Sequence, residues 1–262
     1  MPRFKLTIEF AGTRYSGWQK QANARTVQGD LERAIRAALG EVLVETQGSG
    51  RTDAGVHALA QVAHVDLVRA PAPEQIRRRV NDALPADVHV LEVVPVSRRF
   101  HARHGAVRRS YVYQVSRRRT AFAKPYVWWV KAPIDLVRLQ TAAAAFVGRH
   151  DFRAFSDDDP DEKSTVVVLD EVTAVESGPL VLIRVGGSHF LWKMVRRMVG
   201  VLVAVGTGEL PPGQVARWLA DPRSAGGEPA RLTAPAAGLF LERVCYEGDR
   251  WPESLVAPVG IR

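Results

Sequence analysis

The run Gly48-Ser49-Gly50-Arg51-Thr52-Asp53-Ala54-Gly55-Val56-His57-Ala58 holds the densest concentration of potential chemistry in this chain of 262 residues. Its glycines and small polar residues permit a tight backbone path that projects side chains into a cleft. A carboxylate displayed there, Asp53, can serve as a nucleophile or a general base. Arg51, two residues earlier, can hold a phosphate while the carboxylate faces a reacting group. The plainer reading is a turn in which Asp53 accepts backbone hydrogen bonds, and the run on its own favours that reading. His57, His64 and Asp66 offer metal-ligand types, but the spacing is weak as a metal signature and fits packing along one strand, so no metal is expected. No glycine-rich loop of the nucleotide-binding kind is present.

These side chains need a scaffold. Phe4, Leu6, Ile8 and Phe10 alternate with polar residues, which predicts a half-buried strand. Thr26 is placed to cap a helix carrying Val27, Leu31, Ile35 and Leu39 on one face, and Gly40 to end it. Strands are expected near 41–46 and 61–68, so the Asp53 run joins two strands. Pro73 opens a second helix running to about Leu84. Strands follow near 88–96 and 107–117, then a helix near 135–146, strands near 166–176 and 180–185, and an apolar helix near 189–205. A short helix near 213–219 and a strand near 239–246 close the chain. Helices and strands intermix without βαβ alternation, which predicts an α+β fold: mainly antiparallel sheet, with helices packed on it and a duplicated plan. The expected halves are 1–116, carrying the Asp53 loop, and 117–262. The acidic loop Ser156–Lys163 reads as an exposed excursion.

The net charge is +8, and its distribution says more than its size. Eight arginines and no acid lie between Arg98 and Arg119, and Arg77, Arg78 and Arg79 form a second cluster. A third is Lys193, Arg196 and Arg197. Segregation of this kind suits a polyanion-binding face. Basic patches also serve membranes and anionic ligands; Trp18, Arg51, His57, Arg77, Arg78, Arg79, Arg103, Arg108 and Arg109 are the candidate contacts to a polyanion. The single cysteine, Cys245, excludes an intrachain disulfide and fits a reducing compartment. No apolar stretch reaches the ~18 residues of a membrane span, and the N-terminus lacks the apolar run of a signal peptide. A soluble, cytoplasmic protein is expected.

Several short motifs occur in a fixed order: Tyr15-Ser16-Gly17-Trp18-Gln19, Thr26-Val27-Gln28-Gly29, the Asp53 run, Phe100-His101-Ala102-Arg103, Arg109-Ser110-Tyr111-Val112-Tyr113, His150-Asp151-Phe152 with Phe155, Met194-Val195-Arg196-Arg197-Met198-Val199-Gly200, and Ala234-Pro235 through Gly238-Leu239. Together they resemble the tRNA pseudouridine synthase A (TruA) family along nearly the whole chain. There are two departures. Thr165-Val166-Val167 stands where many members read TVR, and Ala236 replaces the second proline of APP.

The resemblance implies the pseudouridine synthase fold and an isomerase that converts uridine to pseudouridine in the anticodon stem-loop of tRNA, at positions 38, 39 and 40. It implies Asp53 as the catalytic carboxylate, Arg196 as the cation that orients it, and Tyr111 and Arg51 as substrate contacts. It also implies RNA lying across a homodimer, and a reaction with no cofactor. A non-catalytic RNA-binding protein is the main rival, and a metal-dependent RNA-cleaving enzyme the second. The intact Arg51-Thr52-Asp53 triplet counts against the first, and scattered acids without a ligand cluster against the second.

Overall fold

The computed structural model describes residues 1–69 and 71–261; Arg262, the end of the expected C-terminal half, lies outside the described residues. In chain order the elements are β1 (Arg3–Phe10), α1 (Val27–Leu39), β2 (Thr46–Gly48), β3 (His57–Asp66), α2 (Pro73–Ala83), β4 (Val88–Val96), β5 (Arg108–Ser116), β6 (Trp128–Trp129), α3 (Leu136–Ala144), β7 (Gly148–Asp151), β8 (Val166–Ser177), β9 (Leu180–Gly187), α4 (Met194–Gly206), α5 (Gln214–Ala220), α6 (Glu228–Arg231) and β10 (Leu239–Cys245). This is the expected α+β fold, and its strand pairs are mainly antiparallel. The residues form two compact units: Met1–Val107 with Phe240–Trp251, and Arg108–Leu239 with the residues from Pro252 onward. The halves 1–116 and 117–262 follow the chain, whereas the units follow packing, so β5 counts with the second unit and β10 with the first.

In the first unit β1 runs antiparallel between β3 and β4, with Leu6 opposite both Ala63 and Val93. Its alternation is realised: Phe4, Leu6, Ile8 and Phe10 are buried and the residues between them are not. β10 joins β3 in parallel through Phe240 opposite His57, and β2 pairs with the other end of β3, Thr46 opposite Val65. Thr26 caps α1 by accepting the Gly29 N–H, and Gly40 ends the helix in the left-handed region at φ 68°. α2 packs on α1 and β4. A bidentate ion pair, Arg3 to Asp66 at 2.8 and 2.7 Å, ties β1 to β3.

The second unit is a sheet ordered β5-β9-β8-β7, with β6 beside β5. Every residue of β9 is buried, Arg184 included, so the strand is covered on both faces and shows no alternation. α3, capped by the Asp135 carboxylate on the Arg138 N–H, packs on β8 and α4. Every residue of α4 other than Arg196 is buried. The C-terminal residues close this unit's core. The buried Arg184 guanidinium donates to the carbonyls of Pro252, at 3.3 Å, and Ser254. Leu255, Ala257 and Ile261 cover Ala123, Val127, Leu180 and Leu182.

Two expected elements are displaced. The strand placed near 41–46 forms instead at Thr46–Gly48, paired with Ala63 to Val65 of β3; Val42 is 95% exposed. The helix placed from 189 begins at Met194. The preceding residues are held out of helical geometry by the acidic loop: Asp158 accepts the Trp192 N–H at 2.9 Å, and Lys193, paired to Asp157 at 2.6 Å, lies in the left-handed region at φ 61°. The loop is therefore exposed at its tip but anchored at its base. β6, β7 and α6 were not expected from the sequence; each is four residues or fewer, too short to show a period.

Candidate active site

The Asp53 run leaves β2 and enters β3, as its composition demanded. The first turn is locked by Ser49 and Gln61: the Ser49 hydroxyl donates to Gln61 Oε1 at 2.6 Å, and the Gln61 amide donates to the Gly50 carbonyl at 3.1 Å. The Ser49 N–H reaches the Val62 carbonyl at 2.7 Å, and the Val56 N–H closes a turn on the Asp53 carbonyl at 3.2 Å. Gln61 was not singled out from the sequence, because a glutamine within an apolar strand carries no pattern of its own.

A neighbouring segment presses on this loop from the same unit. Any Cβ at Gly12 would fall 1.9 Å from the Val56 carbonyl oxygen, and one at Gly17 would fall 2.4 Å from that of Thr52. Gly17 also has φ +91°, which glycine adopts freely. Contact of backbone on backbone fixes the loop more firmly than side-chain packing alone. Asp53 is half-buried and Arg51 exposed on this frame.

Trp18 and His57 are corrected here. Each is 1% exposed, so neither is a surface contact for RNA. Trp18 lies against Gly48, and His57 accepts the Gly12 N–H on Nδ1 at 3.0 Å while stacking on Phe240. His64 is likewise structural and accepts the Ala102 N–H on Nδ1 at 3.2 Å. Burial, with the Arg3 and His101 charges, pushes the His64 imidazole down to about 4 from 6.5. The folded state therefore binds this proton less readily than the unfolded chain. The stabilisation is complete above pH 6.5 and is lost as pH falls from about 6.5 toward 4. Thermal unfolding between pH 7 and pH 5 should show a decline in melting temperature that is shallower in His64→Gln.

In the second unit Tyr111, on β5, is buried and meets Phe190 edge to face at 5.0 Å. Tyr113, on the same strand face, is fully buried and donates its hydroxyl to the Pro235 carbonyl at 2.8 Å; burial holds its phenol far above the ordinary range. Arg196 lies in the first turn of α4, half-buried, with Nε donating to the Ala234 carbonyl at 2.8 Å. Its neighbour Arg197 is buried and paired with Asp157, and burial lowers its pKa. Sequence marked Arg197 only as one of a basic cluster, yet it is an internal tie. Val167, where the family pattern carries arginine, is fully buried on β8 opposite His150.

The expected RNA-contacting arginines differ in their commitments. Arg78, Arg79 and Arg103 are exposed. Arg77 is already paired with Glu74 at 2.6 Å, and Arg108 with Asp170 at 2.9 Å. Arg109 donates to the Ser188 carbonyl at 2.8 Å. A phosphate reaching Arg77 or Arg108 must compete with a carboxylate, so these two are weaker candidates than Arg78 and Arg79.

The family model described as tRNA pseudouridine synthase matches residues 6–104 and 142–247. Those stretches contain Arg51, Asp53 and Arg196, while Arg108, Arg109 and Tyr111 lie between them. The tRNA pseudouridine synthase A of Nitrobacter hamburgensis is 43% identical over 251 residues, covering 94% of this chain and 100% of that one. The tRNA pseudouridine synthase A of Agrobacterium fabrum is 40% identical, covering 94% and 93%. A crystal structure of a Cbf5-Nop10-Gar1 complex matches at TM-score 0.33 and 12% identity, covering 76% of this chain and 54% of that one, too distant to bear on the site. With a match over more than half its length and relatives aligned nearly end to end, the chain belongs to the tRNA pseudouridine synthase family of isomerases.

Proposed function

We propose that this chain isomerises uridine to pseudouridine in the anticodon stem-loop of tRNA, at positions 38, 39 and 40, with Asp53 as the catalytic carboxylate. The observation that carries the reading is the Asp53 loop: an aspartate within the family match, on a turn held rigid by close backbone contacts, beside an exposed arginine. The reaction breaks the C1′–N1 bond, turns the uracil and joins C1′ to C5; the C5 proton leaves and N1 gains one. It is redox-neutral and calls for no cofactor. A carboxylate can begin it by attacking C1′, by removing the C2′ proton, or by attacking C6. Arg196 is assigned as the cation that keeps Asp53 ionised and oriented. Tyr111 is assigned as the ring that stacks on the extruded base, and Arg51 as a phosphate contact. The test is tritium release from uridine labelled at C5, using a tRNA with uridine only at positions 38–40 and a second lacking uridine there. Release from both, or from neither, would count against the reading.

RNA binding through Arg78, Arg79 and Arg103, with Arg77, Arg108 and Arg109 in support, carries a salt signature. Each neutralised phosphate adds roughly 0.7–0.9 to the slope of log affinity against log salt. Arg78→Glu with Arg79→Glu should weaken tRNA binding and flatten that slope by about one to two, with little change in the single-turnover rate. Filter binding across a salt series checks this.

The family resemblance read from the motifs leads us to propose also a homodimer working in the cytoplasm. Light scattering should then give twice 28.8 kDa at micromolar protein; an active species at the monomer mass would exclude it. Among the described residues, no helix is long and apolar enough to cross a membrane.

A further inference from the structure

The segment that presses on the Asp53 loop is itself held by a charged network, with every member in the first unit. The Tyr15 carbonyl accepts the Gly55 N–H at 3.2 Å, and the Trp18 N–H donates to the Thr52 carbonyl at 3.2 Å. These two bonds bracket Asp53 on either side. The Tyr15 side chain, 4% exposed, points the other way. Its hydroxyl donates to Asp87 at 2.7 Å and accepts from Arg25 at 3.0 Å, and the Arg25 guanidinium lies over the Tyr15 ring at 4.6 Å. Arg25 also holds Asp30 through Nε and a terminal nitrogen, at 3.1 and 3.0 Å, and Arg14 holds the second oxygen of Asp87 at 2.7 Å. The backbone ties of the segment run to the same places: Ala11 N–H to the Asp87 carbonyl, Ser16 N–H to the Arg25 carbonyl, and Val27 N–H to the Gly17 carbonyl.

Burial opposes the Asp87 charge, yet the bonds from Tyr15 and Arg14 and the charges of Arg14 and Arg25 hold its carboxyl below the usual range. Burial and the bond to Asp87 drive the Tyr15 phenol well above its ordinary value. Tyr15 therefore stays a neutral donor and Asp87 an ionised acceptor at any working pH. An apolar core would fill this space without fixing a direction. A bidentate and bifurcated set of charged bonds fixes both distance and angle.

We infer that Tyr15, Arg25 and Asp87 are positioning residues for the reaction: through the Tyr15 carbonyl and the Trp18 amide they set where the Asp53 loop stands. This rests on the assignment of Asp53 as the catalytic carboxylate. Displacement of a reacting group by about 1 Å can cost on the order of 10²-fold in rate. Tyr15→Phe keeps the ring and removes the hydroxyl that links Asp87 to Arg25. Asp87→Asn keeps the shape and removes the charge.

The test is single-turnover tritium release at saturating tRNA, with tRNA affinity measured alongside, at a temperature where circular dichroism shows every variant folded. Tyr15→Phe and Asp87→Asn should slow the step about 10- to 100-fold, with the dissociation constant for tRNA within about twofold of the parent. Arg25→Lys, which keeps a charge for Asp30, should recover part of the rate that Arg25→Met loses. Arg3→Met, which breaks the Arg3–Asp66 pair elsewhere in the unit, should lower the melting temperature and leave the rate alone. A Tyr15→Phe rate within about twofold of the parent would overturn the inference. So would equal rate losses in Tyr15→Phe and Arg3→Met at equal losses of stability. If Asp53→Asn stays active, the assignment of Asp53 fails first and this inference falls with it; an inactive Asp53→Asn beside a fully active Tyr15→Phe removes the inference alone.

Discussion

Asp53→Asn is expected to abolish pseudouridine formation while the protein stays folded and binds tRNA as well as the parent, or better. Asparagine nearly matches aspartate in shape, and the loop around position 53 is fixed by backbone bonds that the substitution does not touch: Ser49 to Val62, Trp18 to Thr52 and Gly55 to Tyr15. What is lost is the charge. If the carboxylate is a base, removing it should cost about 10²–10⁴-fold; if it is the nucleophile, no covalent step remains. Affinity should hold or rise, because a negative charge has been taken away from a surface that meets RNA phosphates. Tritium release, filter binding and circular dichroism supply the three readings, with Asp66→Asn as the control that has no assigned chemistry. A folded Asp53→Ala protein turning over at a near-normal rate would end the mechanism.

Arg196→Met should be the second most damaging change to the rate, at about 10²–10³-fold, with little loss of stability. α4 gives the reason for separating the two effects. Its other residues are all buried and hold the helix in place, so the fold does not depend on the one side chain that is not. The substitution forfeits the bond from Nε to the Ala234 carbonyl, worth about 1 kcal/mol. Arg196→Lys should recover little, since an ammonium cannot reproduce a planar fork against a carboxylate. The decisive comparison is the double variant. If Arg196 acts through Asp53, Asp53→Asn with Arg196→Met should be no slower than Asp53→Asn alone. Multiplying losses would show two independent roles.

The sequence carried the scaffold where periodicity is long and local. Phe4 to Phe10 gave β1, Thr26 and Gly40 bounded α1 to the residue, and Pro73 opened α2. It misled where a distant charge decides local conformation: nothing near Lys193 announces that Asp157 and Asp158 will hold the chain there outside the helix. In the site, the run around Asp53 was legible because glycines and a short spacing leave a local mark. Trp18 and His57 were misread because exposure is a property of the fold, and an aromatic in a basic chain looks the same on the surface as in the core. The brace of Tyr15, Arg25 and Asp87 was half visible: Tyr15 stood in a motif, but Asp87 is 72 residues away and enters only through folding.

The division of the chain into units has a consequence for its synthesis. Most of the first unit is made before Arg108–Leu239, yet β10, which pairs with β3, is made after the whole of that stretch. At roughly 5–20 residues per second, the edge of β3 beside the Asp53 loop waits on the order of ten seconds for its parallel neighbour. The second unit waits too, since the carbonyls that take the Arg184 guanidinium belong to Pro252 and Ser254. An open strand edge is what chaperones and wrong strand pairings find on a nascent chain. A ribosome stalled before Phe240 should therefore present a first unit that is compact but sensitive to protease, and release past Trp251 should close it.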